Sequence, residues 1–298
     1  MITTLKQKLS RMLMRFRIAR FGNNHSWLIN HRYKTYHRQA IKAFRPSESK
    51  EVWDGIAEQV EQFRKDGFLV ISSPLNTPEG NLLKLKVDRL FEGESETVQV
   101  SSGLIRLVDG AEQLPEVARL LRGRVEQILE AYFGSHFKLY TMSFYRTIPD
   151  ECEPSSSFLW HFDNTPDEEV KLMIYLDEVR EETGAFRFKN QATSEQARAR
   201  GFWHRDDYDC ARSIFEDESS TVIAEGVPGT IVLFRQGRVV HKATAPIRDH
   251  RDVVTMVITP SVIPWREHYA RNKHLLSTNS GLCKNPWTDE PENIGYRY

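Results

Sequence analysis

The sequence predicts an α+β fold that is mainly β, a β-sandwich or jelly roll preceded by helices. Apolar residues recur at helical spacing in three stretches before Gly134, whereas from Phe137 onward they fall in short strand-like runs. Turn signals such as Glu182-Thr183-Gly184 and Gln236-Gly237 punctuate those runs. Helices followed by short strands in this order fit one layered unit, and no internal repeat is visible.

The first stretch is basic. From Met1 to Ser47 there are Lys6, Lys8, Arg11, Arg15, Arg17, Arg20, Arg32, Lys34, Arg38, Lys42 and Arg45, and no Asp or Glu. The whole chain balances 41 Lys and Arg against 41 Asp and Glu, so the remainder is acidic. On a helical wheel Ile2, Leu5, Leu9, Met12, Leu13 and Phe16 share one arc, with Lys6, Lys8, Arg11, Arg15 and Arg17 outside it. Residues 2–21 therefore read as a basic amphipathic helix. It can pack on the protein's own body, act as a mitochondrial presequence, or lie on an anionic membrane surface. Residues 22–47 stay basic, with His25, Trp27, His31, Tyr33, Tyr36 and His37 interleaved, which suits either a solvated linker or contact with phosphates and sugars. Pro46-Ser47-Glu48 marks a composition change, dividing a 1–47 extension from a 48–298 domain.

Within that domain the spacing predicts helices over 51–65, 78–91 and 115–133, with a short strand at Phe68-Leu69-Val70-Ile71 after Asp66-Gly67. Strands are expected at 138–147, 159–163, 171–179, 185–189, 230–234, 239–244 and 253–259. Arg235-Gln236-Gly237-Arg238 reads as a hairpin turn. Residues 190–220 are polar and read as an insertion or lid; the tail from Trp265 has no assigned element. No apolar run approaches the ~18 residues of a membrane span, and the N-terminus lacks a secretory apolar core. Three scattered cysteines, Cys152, Cys210 and Cys283, indicate a reducing, cytoplasmic setting.

The chemistry centres on Trp160-His161-Phe162-Asp163. On a strand His161 and Asp163 project from one face, supplying two of the three ligands of a facial triad for non-haem Fe(II). A lone His-x-Asp is a weak signal. The second imidazole is sought at Val239-Val240-His241, and Arg251 opens the next strand.

In order and spacing these pieces resemble the phytanoyl-CoA dioxygenase-like branch of the Fe(II)/2-oxoglutarate oxygenases. The pieces are Trp160-His161-x-Asp163, Leu172–Asp177 with Gly184, Pro228-Gly229-x-Ile231-Val232-Leu233-Phe234, and His241-x-x-x-x-Pro246 with Arg251. Asp66-Gly67-Phe68-Leu69-Val70-Ile71 resembles the start of that family's domain. The resemblance implies a double-stranded β-helix (jelly roll) with flanking helices and a basic N-terminal helical extension. It implies His161, Asp163 and His241 as Fe(II) ligands and catalytic centre, with Arg251 holding the distal carboxylate of 2-oxoglutarate. Dioxygen (O2) and the 2-oxo acid would yield succinate, CO2 and an oxidant that removes hydrogen from the substrate. Phe188-Lys189-Asn190-Gln191 replaces the Pro-Gly-Ser-His stretch common in the family, and the carboxylate at Asp163 argues against halogenation.

A guanidinium fork matches a carboxylate better than lysine does, and Arg248 competes with Arg251 for that role. Tyr140, Tyr145, Lys171 and Arg187 are candidate substrate contacts at the barrel mouth, and His250 reads as a loop residue. The expected activity is a dioxygenase hydroxylating an organic substrate. A membrane-held anionic glycolipid, such as the Kdo region of lipopolysaccharide, suits the basic residues 1–21, which would place the protein peripherally on the inner membrane face. No specific nucleic acid is expected. The alternatives are a membrane-tethered β-sandwich binding protein and a zinc hydrolase using the same His/Asp/His set, which leaves Arg251 without a role.

Overall fold

The structure, a computed structural model, describes residues 27–46, 53–72, 75, 77–93, 98–101, 103–107, 110–150, 156–163, 165–166 and 168–276. The expected helix over 2–21 and the tail beyond residue 276 lie outside the described residues.

Among the described residues, ten strands form two antiparallel sheets. They are β1 (Phe68–Ile71), β2 (Val98–Ser101), β3 (Leu104–Leu107), β4 (His136–Thr147), β5 (Val170–Tyr175), β6 (Phe186–Lys189), β7 (Thr221–Ala224), β8 (Ile231–Phe234), β9 (His241–Lys242) and β10 (Arg251–Ser261). The large sheet runs β1-β8-β5-β10-β4-β3-β2 and the small one β7-β6-β9, extended by a bridge between His161 and His241. From β4 onward the chain keeps crossing between the sheets, as a jelly roll does in outline.

Six α-helices of eight residues or more accompany the sheets among the described residues: α1 (Trp27–Ala43), α2 (Ala57–Asp66), α3 (Pro78–Glu92), α4 (Arg124–Phe133), α5 (Gln191–Ala199) and α6 (Trp265–Asn272). The period-2 alternation of the large sheet explains where they pack. Leu172 and Ile174 of β5, Ile231 and Leu233 of β8, and Val254 and Met256 of β10 face outward, joining Val60 and Phe63 of α2, Val87 of α3 and Ile128 of α4 in one buried cluster. Their strand neighbours Met173, Tyr175, Val232, Phe234 and Val253 face the small sheet, meeting Phe186 and Phe188 of β6 and Ala224 of β7. The site lies between the sheets.

Several expectations need correction. The helix expected over 115–133 is a 3-10 turn, Pro115–Leu121, followed by α4; Gly123 breaks it with a left-handed φ of 74°. Residues 230–244 are no hairpin: β8 pairs with β1 and β5, while β9 pairs with β6, so residues 235–238 turn the chain from one sheet to the other. The stretch expected as a strand over 159–163 makes a single bridge at His161. The hairpin β2–β3 and the strand β7 were not anticipated. Residues 190–220 form α5 and short turns, burying Ala197, Phe202 and Phe215 against Trp160 and Val240. The basic stretch before Pro46 contains α1, whose Tyr33, Tyr36 and Ala40 are buried; His37 Nε2 lies 2.8 Å from the Phe133 carbonyl.

Candidate metal centre

His161 and His241 are cross-strand partners. Each backbone N–H donates to the other's carbonyl at 3.0 Å, so the two side chains emerge on one face. Their rings lie 4.3 Å apart. Asp163 follows two residues after His161, its N–H donating to the Gln236 carbonyl at 2.9 Å. Its carboxylate completes a set of three ligand atoms that all lie within 4.8 Å of one another.

The backbone decides which nitrogens are available. His161 Nδ1 lies 2.7 Å from the Leu159 carbonyl and His241 Nδ1 lies 2.8 Å from the Val239 carbonyl. A carbonyl can only accept, so in each neutral ring Nδ1 carries the proton and Nε2 presents a lone pair. Both lone pairs point to Asp163: His161 Nε2 is 3.5 Å from Oδ1 and His241 Nε2 is 3.7 Å from Oδ2. His241 Nε2 is buried without a hydrogen-bond partner among the described residues. Burial, and then the neighbouring His161, push the His241 imidazolium down to about 4, so the ring is neutral near pH 7. Two lone pairs and a carboxylate converging on one point, with an orphaned buried nitrogen, fit a divalent transition metal.

Asp163 is ionised. Burial opposes its charge, but Lys171, whose Nζ lies 2.9 Å from Oδ2, holds it well below the usual carboxylate range. Phe234 and Phe186 wall the His241 ring at centroid distances of 4.9 and 5.7 Å, excluding competing donors on that side. Behind Asp163, burial pushes the Glu169 carboxyl up to about 8 against the opposing hydrogen bond from Gln236 Nε2 at 2.6 Å; it is therefore protonated near neutrality.

Arg251, at the start of β10, is buried on the inner face of the large sheet, in register with Thr147. Its guanidinium donates to the Gly184 carbonyl and, at 3.2 Å, to Thr147 Oγ1, and its Nε has no partner among the described residues. Gly184 has a φ of 88°, and a side chain there would meet the Thr244 carbonyl at 2.6 Å, so only glycine brings this carbonyl to the arginine. No carboxylate accompanies Arg251 among the described residues. Arg248 is at the surface, paired with Glu182 at 2.5 Å.

The other sequence candidates divide. Lys171 reaches the centre, and Tyr145 lies on the inner face beside the inter-sheet cluster. Arg187 is turned away: β6 sends Phe188 inward and Arg187 outward, to Glu181 at 2.5 Å and Glu218 at 3.1 Å. Tyr140 occupies the irregularity where β4 slips register against β10. Sequence reasoning missed Thr147, Glu169 and Gln236. The alternation Glu169-x-Lys171 before an apolar run was the only signal for Glu169.

No family model matches the chain, and no curated protein matches it. Solved structures do. The chain is similar to the non-heme alpha ketoglutarate dependent carbocyclase SnoK from nogalamycin biosynthesis, with a TM-score of 0.53 and 19% identity, covering 72% of this chain and 85% of that one. The non-heme alpha ketoglutarate dependent epimerase SnoN of the same biosynthesis gives 0.50 and 16%, covering 70% and 83%. EctD from S. alaskensis, in its apoform, gives 0.50 and 18%, covering 68% and 76%. At these identities the likeness is one of fold. The chain has the architecture on which such non-heme iron enzymes are built.

Proposed function

We propose that this chain is an Fe(II)- and 2-oxoglutarate-dependent dioxygenase that hydroxylates an organic substrate. The observation that carries this reading is Arg251: a fully buried guanidinium whose contacts are a carbonyl and a hydroxyl, without a carboxylate among the described residues. A buried charge without a counter-charge is costly, and a dicarboxylate cosubstrate would supply one. A zinc hydrolase leaves this arginine unexplained.

His161, Asp163 and His241 would hold the iron, which supplies the activation of dioxygen coupled to decarboxylation of 2-oxoglutarate. One oxygen atom enters succinate and the other the product. The two Nδ1–carbonyl hydrogen bonds fix the rings so that their lone pairs need no reorientation. Lys171 restrains one oxygen of Asp163. Arg251 and Thr147 would orient the distal carboxylate of the cosubstrate, while the phenylalanine wall keeps water from the His241 side. Protein given Fe(II), 2-oxoglutarate and O2 should release succinate and CO2 in step, and His241→Ala should not. Metal-dependent ester or amide hydrolysis without succinate would instead favour the hydrolase.

The finer reading is a membrane-held anionic glycolipid substrate, such as the Kdo region of lipopolysaccharide. Its support is the basic, acid-free stretch over residues 1–47. Burial of Tyr33, Tyr36 and Ala40 commits α1 to the body of the protein, so this reading rests on the basic amphipathic pattern of residues 1–21 in the sequence. Full-length protein should co-sediment with anionic vesicles at low salt, and removal of residues 1–21 should release it. No salt-sensitive co-sedimentation would end this reading without touching the metal centre.

A further inference from the structure

The inner face of the large sheet is not uniformly covered. On β5 and β8 it is sealed by the small sheet: Met173, Tyr175, Val232 and Phe234 are all buried. Beyond β10 the same face continues onto β4 and β3, past the small sheet, and there it changes character. Register places Val253 opposite Tyr145, and Tyr145 opposite Arg106, so these three share the inner face. Two residues along, Thr255 pairs with Ser143. Thr255, Tyr145 and Arg106 are half-buried.

Arg106 is the unusual member. Its guanidinium lies 5.9 Å from the centre of the Tyr145 ring, its Nε is buried without a hydrogen-bond partner, and no carboxylate pairs with it among the described residues. The other inward cations have local partners or an assigned ligand: Lys171 has Asp163, and Arg251 is assigned the cosubstrate. A half-buried arginine held over an aromatic ring, with no carboxylate paired to it among the described residues, is a ready partner for a planar or tetrahedral oxyanion. The hydroxyls of Tyr145, Ser143 and Thr255 line the same face between Arg106 and the strand that carries Lys171.

We propose that this strip is the substrate subsite, with Arg106 binding an anionic group, carboxylate or phosphate, of a hydroxyl-bearing substrate whose reacting carbon extends toward the metal. The proposal rests on the dioxygenase reading, since it takes the metal centre as the point of reaction. Arg106 sets substrate specificity and makes no contact with the reacting atoms.

The test separates the two readings by using direct binding. Full-length protein is loaded with Zn(II), which binds the same donors without turnover, and saturated with N-oxalylglycine to occupy Arg251. Uptake of N-oxalylglycine, followed calorimetrically, tests the cosubstrate reading by itself. D-Glucuronate, D-glucose 6-phosphate and neutral D-glucose are then titrated by ligand-observed NMR. At least one anion should bind about tenfold or more tightly than glucose, and its identity tells carboxylate from phosphate recognition. Arg106→Gln should lose that preference, Arg106→Lys should keep part of it, and the surface control Arg248→Gln should leave it unchanged. Thermal melts of both Arg106 variants establish that they fold. The proposal is overturned if N-oxalylglycine binds but neither anion outcompetes glucose. It is equally overturned if Arg106→Gln binds the anions as the parent chain does.

Discussion

Among the described residues, two groups of carboxylates and imidazoles offer three donors within 4.8 Å of one another: His161, Asp163 and His241 between the sheets, and Asp88, His250 and Asp252 beside α3. They differ in how many donors are committed: in the second, only His250 Nε2 is without a hydrogen-bond partner among the described residues. In the second, Lys84 Nζ lies 2.7, 2.8 and 3.1 Å from Asp88, Asp177 and Asp252. Arg146 Nη2 adds contacts of 2.6 Å to Asp88 and 2.7 Å to Asp252. Two fixed cations already answer three carboxylates, with His250 Nε2 at 3.5 Å from Asp177 as a further neighbour. A divalent ion would have to displace them. The lesson is that donor count and distance do not make a metal centre; uncommitted lone pairs do.

The sharpest way to break this comparison is to remove one donor from each cluster. His161→Ala, Asp163→Ala and His241→Ala should each abolish stoichiometric Fe(II) binding in an anaerobic titration and lower succinate formation by at least about a thousandfold. His250→Gln should leave both untouched, and any loss of iron there would give the second cluster a metal role.

Stability should show the reverse order. Asp252→Ala leaves Arg146 and Lys84 short of a fully buried carboxylate, a loss of about 3–5 kcal/mol in urea unfolding. Asp163→Ala, by contrast, should cost the metal-free fold far less, because its surroundings are built for an ion. Equal losses would mean that Asp163 is a structural residue.

Arg251→Ala should raise the 2-oxoglutarate concentration needed for half-maximal turnover by about one to two orders of magnitude, corresponding to about 2–3 kcal/mol, with iron affinity nearly unchanged. Arg248→Ala is the control. A large effect of Arg248 with none of Arg251 would transfer the anchor to the surface loop.

The smallest expected effect concerns pH. Glu169 ionises near 4.5 in the unfolded chain, and burial raises this to about 8 in the folded one. Between those values the folded state keeps a proton that the unfolded state has released, so the group's contribution makes stability fall as pH rises through this window. Glu169→Gln should flatten the dependence and stabilise the metal-free protein at pH 8 by about 1–3 kcal/mol. If melting temperatures of variant and parent run parallel from pH 5 to 8, Glu169 is not buried as a neutral acid.

The same contrast explains what could be read from the chain. Helices α3 and α4 were legible because each buries one face, leaving a 3.6-residue rhythm in residues such as Leu83, Val87 and Phe91, whereas β5 and β8, buried on both faces, read as short apolar runs bounded by turn signals. The His161, Asp163 and His241 set came from local spacing together with family resemblance, and the structure brings the three side chains together. Sheet membership was not legible. The turn over residues 235–238 reads as a hairpin because nothing local says that β8 and β9 belong to different sheets. The cluster of Lys84, Arg146 and Asp252 was also invisible, since it joins α3, β4 and β10 across long sequence separations. Gly123 lies inside the helix expected over 115–133, and its positive φ divides that stretch.

The bridge between His161 and His241 has a consequence for the chain as a polymer. An ion held by both rings would tie together positions roughly 80 residues apart, a loop whose closure entropy in a covalent cross-link is worth about 4–5 kcal/mol. Among the described residues, the segment it would fasten, around Trp160, makes that one β-bridge to the small sheet and one further backbone hydrogen bond nearby, from the Ala243 N–H to the Ser157 carbonyl at 2.8 Å. Iron would then act as a reversible staple, and chelation should expose this segment to proteases well before the rest of the barrel opens.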